Sequence, residues 1–160
     1  MAKEKISVTA AMRGLRDAKV DFTVHQYRYQ ERGGTALSST SLGVSESQVI
    51  KTIVLEDESK SLVVALMHGD AEVSTKKLAR LLGVKSLSPA ASSRALPQTG
   101  YQFGGTSPFG LKRRLPVFAQ RSILRCPLIY INGGRRGTLV AMDPQDISRA
   151  LEVEFVEIKA

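Results

Sequence analysis

Two apolar runs near the middle of the chain, 49–55 (VIKTIVL) and 62–67 (LVVALM), are separated only by the polar hexapeptide 56–61. Short runs rich in β-branched residues, joined by a polar turn, read as the strands of a hairpin. Helical patterns flank them. Val8, Met12 and Leu15 recur at helical spacing behind a possible Ser7 or Thr9 cap. A short helix is expected over about 36–42, ending at Gly43, and another from the Ser74 cap to residue 82, ending at Gly83. Strands are expected at 22–27, 84–87, 115–119, 128–131, 137–142 and 154–158. Ser88-Pro89 and Asp143-Pro144 are expected to open helices, and residues 132–134 (Asn-Gly-Gly) to form a turn. Strands and helices alternate without a regular period, and the chain holds no repeat or linker. The pattern predicts one α/β domain over residues 1–160, with a mixed, curved or barrel-like sheet.

Lys51 interrupts the first run. On strict alternation it shares a face with Val49, Ile53 and Leu55. A lysine on a buried strand face must be paired, neutralised or aimed into a water-filled cavity. Burial alone favours a neutral amine suited to base work; a neighbouring anion favours a cation suited to electrostatic stabilisation. The plainer alternative is an edge lysine that reaches water and blocks strand pairing. His25, in the first strand, has no acidic partner that the sequence can assign, and a structural role is expected. Cys126, before Pro127, is expected to be a small buried hydrophobe.

Residues 99–116 (TGYQFGGTSPFGLKRRLP) are the second unusual stretch. Glycines let another molecule approach bare N–H groups, and the adjoining Lys112, Arg113 and Arg114 suit a phosphate-bearing ligand. Two familiar loop chemistries fail here. Gly105 and Gly110 have the spacing of a phosphate-binding P-loop, but Leu111-Lys112 replaces its Lys-Ser/Thr ending. Ser107 sits as in a nucleophile elbow, but the closing position is Phe109 and the next residue, Pro108, has no N–H. An ordinary surface connection is the alternative.

The net charge is +8 among 160 residues, which favours a polyanionic partner such as nucleic acid. Cations cluster at Lys76-Lys77 with Arg80, at 112–114, and at Arg135-Arg136. Aromatic residues are only 6%, so a platform for stacking single-stranded bases is not evident, and contact through phosphates is expected. One cysteine excludes an internal disulfide and a cysteine-rich zinc site, and nothing near His25 or His68 completes a metal set. No apolar run has the length of a membrane span, and residues 1–6 do not begin a secretory signal, so the cytoplasm is the expected compartment.

Five motifs occur in order along the chain. They are His25-x-Tyr27, Ile50-Lys51-Thr52, Thr99-Gly-Tyr followed by Gly104-Gly105-x-Ser107-Pro108-x-Gly110-x-Lys112, Tyr130-Ile-Asn-Gly133-Gly134-Arg-Arg136-Gly137, and Asp143-Pro-Gln-Asp146-Ile. Together they resemble the YbaK/ProX family of aminoacyl-tRNA deacylases over nearly the whole chain. The branch most similar is the free-standing deacylase that clears cysteine from mischarged proline tRNA. The resemblance implies a single α/β domain with a mixed six- to seven-stranded barrel-like sheet surrounded by helices, no cofactor, and a pocket between the Lys51 strand and the glycine loop. It maps the family's invariant lysine onto Lys51 and pocket positions onto Tyr27, Thr52, Gly104, Gly105, Ser107, Pro108, Asn132 and Gly133. Asn132 departs from the smaller residue common there, which bears on amino-acid preference. Lys112, Arg113 and Arg136 are expected on tRNA phosphates, and prolyl-tRNA synthetase is a candidate partner.

An aminoacyl ester is activated enough to react without a serine triad. It needs orientation, donors or a cation for the developing oxyanion, and an attacker that can be water or a cysteinyl substrate's own thiol. Two other readings compete. One is a non-catalytic tRNA-binding or synthetase-docking module, against which Lys51 and the intact glycine loop argue. The other is a small nucleotide or phosphate binder, against which the several cation clusters argue.

Overall fold

The computed structural model describes residues 7–160; the expectation that residues 1–6 do not form a secretory signal falls outside them. In chain order the elements are α1 (Ala10–Asp17), β1 (Thr23–Gln26), α2 (Gly34–Leu42), β2 (Val49–Asp57), β3 (Leu62–His68), α3 (Thr75–Leu82), β4 (Leu87–Pro89), α4 (Ser92–Thr99), β5 (Val117–Gln120), β6 (Ile129–Arg135), β7 (Thr138–Met142), α5 (Ile147–Ala150) and β8 (Glu154–Val156). Thr9 caps α1 by accepting the Met12 N–H at 3.1 Å. Ser74 does the same for α3 through the Lys77 N–H at 3.2 Å. The Thr9 hydroxyl also donates to the Gly133 carbonyl at 2.5 Å, so one side chain starts the helix and ties it to the sheet.

The β2–β3 hairpin is the centre of the sheet, with Ile50 opposite His68 and Glu56 opposite Leu62. The strand order is β1-β7-β6-β2-β3-β5-β8, and β4 pairs with β2. The β2–β6, β3–β5 and β5–β8 pairs are parallel, and the rest are antiparallel. The described residues therefore form a mixed sheet of eight strands, carried past the expected six or seven by the three-residue β4 and β8. Alternation divides the core in two. Ile50, Val64, Leu66 and Ile131 meet Met12 and Leu15 of α1 in one cluster. Leu55, Ala65, Met67 and Phe118 meet Leu78 and Ala79 of α3 in the other. Burying those of them larger than alanine stabilises the fold by about 1.5–3 kcal/mol each.

Two local expectations are corrected. The short strand lies at Leu87–Pro89, and Pro89 ends it instead of opening a helix, so α4 begins at Ser92. Pairing with the outer edge of β2, Leu55 opposite Pro89, outweighs the helix-start preference of proline, which is tolerated at a strand end. The Asn-Gly-Gly segment is also part of β6, where the pairing register shifts between Asn132 and Arg135. The Asn132 side chain accepts the N–H groups of Gly134 (2.7 Å) and Arg135 (3.2 Å), which supplies partners to an irregular stretch of strand. The hairpin turn is instead at Arg136-Gly137.

Candidate functional site

One edge of β2 is only partly paired. β6 covers it at Val49 and Ile50, and β4 covers it from Leu55 to Asp57. Between them no strand reaches residues 51–54. The Val49 carbonyl accepts the Gly69 N–H on the β3 side, and the Val54 carbonyl accepts the Ala90 N–H on the β4 side. Because main-chain groups of alternate residues point to the same edge, the N–H and C=O of Thr52 face the gap. Polar main-chain groups left open in this way are partners in waiting for water or a ligand.

A cavity of about 630 Å³ occupies this gap. β2 supplies its floor from Val49 to Val54, α2 contributes Thr35 and Ser38, and α4 contributes Ala95 and Leu96. The glycine loop closes it with Tyr101, Phe103, Gly104 and Thr106, and Asn132 borders it from β6. Lys51 and Arg32 are its only charged lining residues among those described, and no Asp, Glu, His or Cys lines it. The setting is cationic and otherwise mostly neutral.

Lys51 lies in this wall with its side chain 20% exposed. Its ammonium donates to the Ala71 carbonyl at 2.5 Å and to Glu72 Oε1 at 3.3 Å. Two of three N–H donors are thus occupied, and one remains. Thr52, next along β2, contributes a buried hydroxyl without a hydrogen-bond partner among the described residues. A buried polar atom without a partner is uncommon, and the residue that carries it lines the cavity.

The glycine loop is held firmly. The Tyr101 hydroxyl donates to the Phe109 carbonyl at 2.5 Å, and the Lys112 N–H donates to the Thr99 carbonyl at 3.1 Å. Gly104 has φ +84°, and a side chain there would come within 2.7 Å of the Tyr29 hydroxyl. At Gly105 an added Cβ would lie 2.9 Å from the Arg136 nitrogen, so the loop packs directly on the β6–β7 hairpin. Asn132 Nδ2 donates to the Gly104 carbonyl at 3.0 Å and joins the two.

Of the residues expected at the pocket, Tyr27, Lys51, Thr52, Gly104 and Asn132 line it. Gly105 and Gly133 do not line it: Gly105 packs on the Arg135–Arg136 backbone, and Gly133 packs near Thr138 and Val140. Ser107 is fully buried, and its hydroxyl accepts the Phe109 N–H at 3.1 Å. Pro108 lines a separate groove with Gly14 and Gly110. Lys112 and Arg113 are exposed beyond the C-terminal end of α4, to which their N–H groups bond. Arg136 is at the mouth: its Nε donates to the Phe103 carbonyl at 2.8 Å, and its guanidinium lies 5.2 Å over the Tyr29 ring. The sequence reading missed Tyr29, Arg32, Tyr101, Phe103 and the faces of α2 and α4. Only Phe103, an apolar residue in a glycine-rich turn, carried a signal that could have been read.

The remaining reactive groups lie elsewhere. His68 bridges the Ser47 carbonyl and the Ser122 hydroxyl, each at 2.7 Å. His25 contacts the Thr23 hydroxyl at 2.8 Å and the edge of Tyr130. Burial, then the nearby Asp70 charge, raises the Cys126 thiol pKa and disfavours the thiolate. In the cavity wall, burial and the neighbouring Tyr29 raise the Tyr27 phenol. Burial pushes Tyr101 up to about 12 against a smaller opposing effect of Arg13. Both phenols are neutral donors at physiological pH.

Residues 35–150 match the aminoacyl-tRNA editing domain family. Over 160 residues the chain is 31% identical to the Enterococcus faecalis protein named "Putative Cys-tRNA(Pro)/Cys-tRNA(Cys) deacylase EbsC", spanning 99% of this chain and 98% of that one. It is 36% identical over 98 residues to a proline–tRNA ligase of Thermodesulfovibrio yellowstonii, a match that covers 61% of this chain and 16% of the ligase. A solved structure described as "a putative trans-editing enzyme for prolyl tRNA synthetase" superposes with a TM-score of 0.82, covering 94% of this chain and 95% of that one. At 19% identity that likeness is one of fold.

Proposed function

Because this chain belongs to the aminoacyl-tRNA editing domain family, we propose that it hydrolyses the ester of mischarged aminoacyl-tRNA in trans, with Cys-tRNA(Pro) as its principal substrate. The observation that carries this reading is the cavity at the broken edge of β2. It offers a lysine cation and main-chain groups that no strand pairs, and it is lined by no imidazole, thiol or carboxylate. Such a wall orients an ester and stabilises charge without supplying a nucleophile. The names of the EbsC relative and of the trans-editing structure support the substrate, and the match to proline–tRNA ligases supports a synthetase as its source.

In this reading the aminoacyl group enters the cavity and the terminal nucleoside stays at the mouth. The remaining N–H of Lys51 meets the ester region or the terminal phosphate. Thr52 offers its main chain to the reacting group. Water attacks the carbonyl carbon and frees the amino acid, or the substrate's thiol attacks it to form a thiolactone that water then opens; in either case the C–O bond breaks and the ribose oxygen leaves with a proton. Gly105, Ser107, Pro108 and Gly133 hold the wall in place, while Lys112, Arg113 and Arg136 take phosphates of the acceptor end. The reaction belongs to the cytoplasmic tRNA pool; no helix among the described residues is long and apolar enough to cross a membrane.

The test is a panel of charged tRNAs, followed for loss of the ester bond. Cys-tRNA(Pro) is expected to lose its amino acid far faster than by spontaneous hydrolysis, and Lys51→Ala to slow this by about 10²–10³ while the fold is retained. If no member of the panel is cleared faster than its spontaneous rate, the enzyme reading fails.

A further inference from the structure

Phe103 is 78% exposed, more than any other large hydrophobic side chain among the described residues. It lines the cavity mouth together with Leu96, itself 47% exposed. Leaving a phenyl ring in water forgoes the stabilisation its burial would give. The ring is nevertheless carried on a fixed support. The Phe103 carbonyl is held by Arg136 Nε at 2.8 Å, and Arg136 is in turn stacked on Tyr29. On either side of it, the Gln102 carbonyl accepts the Gly105 N–H at 2.9 Å, and Gly104 is wedged against the Tyr29 hydroxyl. A mobile loop tip exposes side chains at random; this one presents a single aromatic face beside a cationic cavity.

We propose that Phe103 is a stacking platform for the terminal purine of the tRNA acceptor end, with Arg136 on the adjoining phosphate. The proposal rests on the editing reading above and names the contact that holds the nucleoside. Unpaired bases are gripped by stacking on aromatic side chains, and the backbone beside them by cations. An ester seated against β2 leaves its nucleoside at the rim, where Phe103 and Arg136 stand. Low aromatic content argued against a stacking surface; one ring at this position supplies it.

The probe is an uncharged acceptor minihelix of proline tRNA in which 2-aminopurine replaces the terminal adenine. Binding to the wild-type protein is expected to quench the 2-aminopurine fluorescence through stacking. Phe103→Ala should abolish most of the quenching and raise Kd by about fivefold or more, and Phe103→Trp should retain both. Because the side chain is exposed, the alanine variant is expected to fold normally, which circular dichroism checks. With charged tRNA, the loss should fall on KM more than on kcat. Undiminished quenching and affinity in Phe103→Ala overturn the proposal and leave the ring to a protein contact. The minihelix measurement involves no ester, so failure of the deacylation panel would refute the editing reading without deciding the stacking.

Discussion

At the scale of single residues, the wall of the cavity is set by how each polar group is satisfied. Tyr101 is the clearest case, since it both lines the cavity and anchors the glycine loop. Its pKa lies near 12 in the fold against about 10 in an unfolded chain. The neutral phenol is the form that the fold favours, so its contribution is complete below pH 10 and is lost as pH rises toward 12. Urea unfolding between pH 8 and 11.5 should therefore show wild-type stability falling more steeply above pH 10 than that of Tyr101→Phe. Parallel curves would mean that Tyr101 ionises as freely in the fold as outside it. Lys51 was legible in the sequence because a charge inside an apolar strand breaks a pattern. Thr52 was not legible by pattern, because threonine is common in strands and nothing in the local sequence shows that its hydroxyl lacks a partner. The Lys51 contacts to Ala71 and Glu72 were equally hidden, since they depend on how the chain turns after β3.

At the scale of elements, local chemistry was readable where one residue decides the outcome, and lost where two preferences compete. Ser74 announced one helix start and the Ser7 or Thr9 pair another; Ser74 and Thr9 are the residues that accept the capping N–H. Pro89 could begin a helix or end a strand, and the free edge of β2 decided in favour of the strand. Asn132-Gly133-Gly134 has the composition of a turn, yet it lies in β6 because the asparagine side chain supplies partners within the strand. The double role of Thr9 yields a prediction here. Thr9→Val removes both the α1 cap and the buried bond to the Gly133 carbonyl. It should cost about 1–3 kcal/mol in denaturant unfolding. Thr9→Ser should recover most of that loss; a valine variant as stable as wild type would show that α1 packs without the tie.

At the scale of the whole molecule, the excess of 23 basic over 15 acidic residues favours a polyanion but does not say where it lies. Lys112 and Arg113 are exposed and make no ion pair among the described residues, whereas Arg114 is paired with Glu152 at 2.6 Å. Each phosphate contact they make should contribute about 0.7–0.9 to the slope of log affinity against log salt. Lys112→Ala with Arg113→Ala should therefore weaken tRNA binding at low salt and flatten that slope, measured by titration across salt concentrations. An unchanged slope would move the contact surface elsewhere, with Lys76, Lys77 and Arg80 as the next candidates. The gap in the β2 edge has a consequence for how such a molecule diversifies. Main-chain N–H and C=O groups are the same whichever amino acid carries them, so mutation does not readily erase this part of the wall. The side chains of α2 and α4 around it are free to drift. Descendants of one ancestor could thus come to differ in what the cavity admits while inheriting the same main-chain edge.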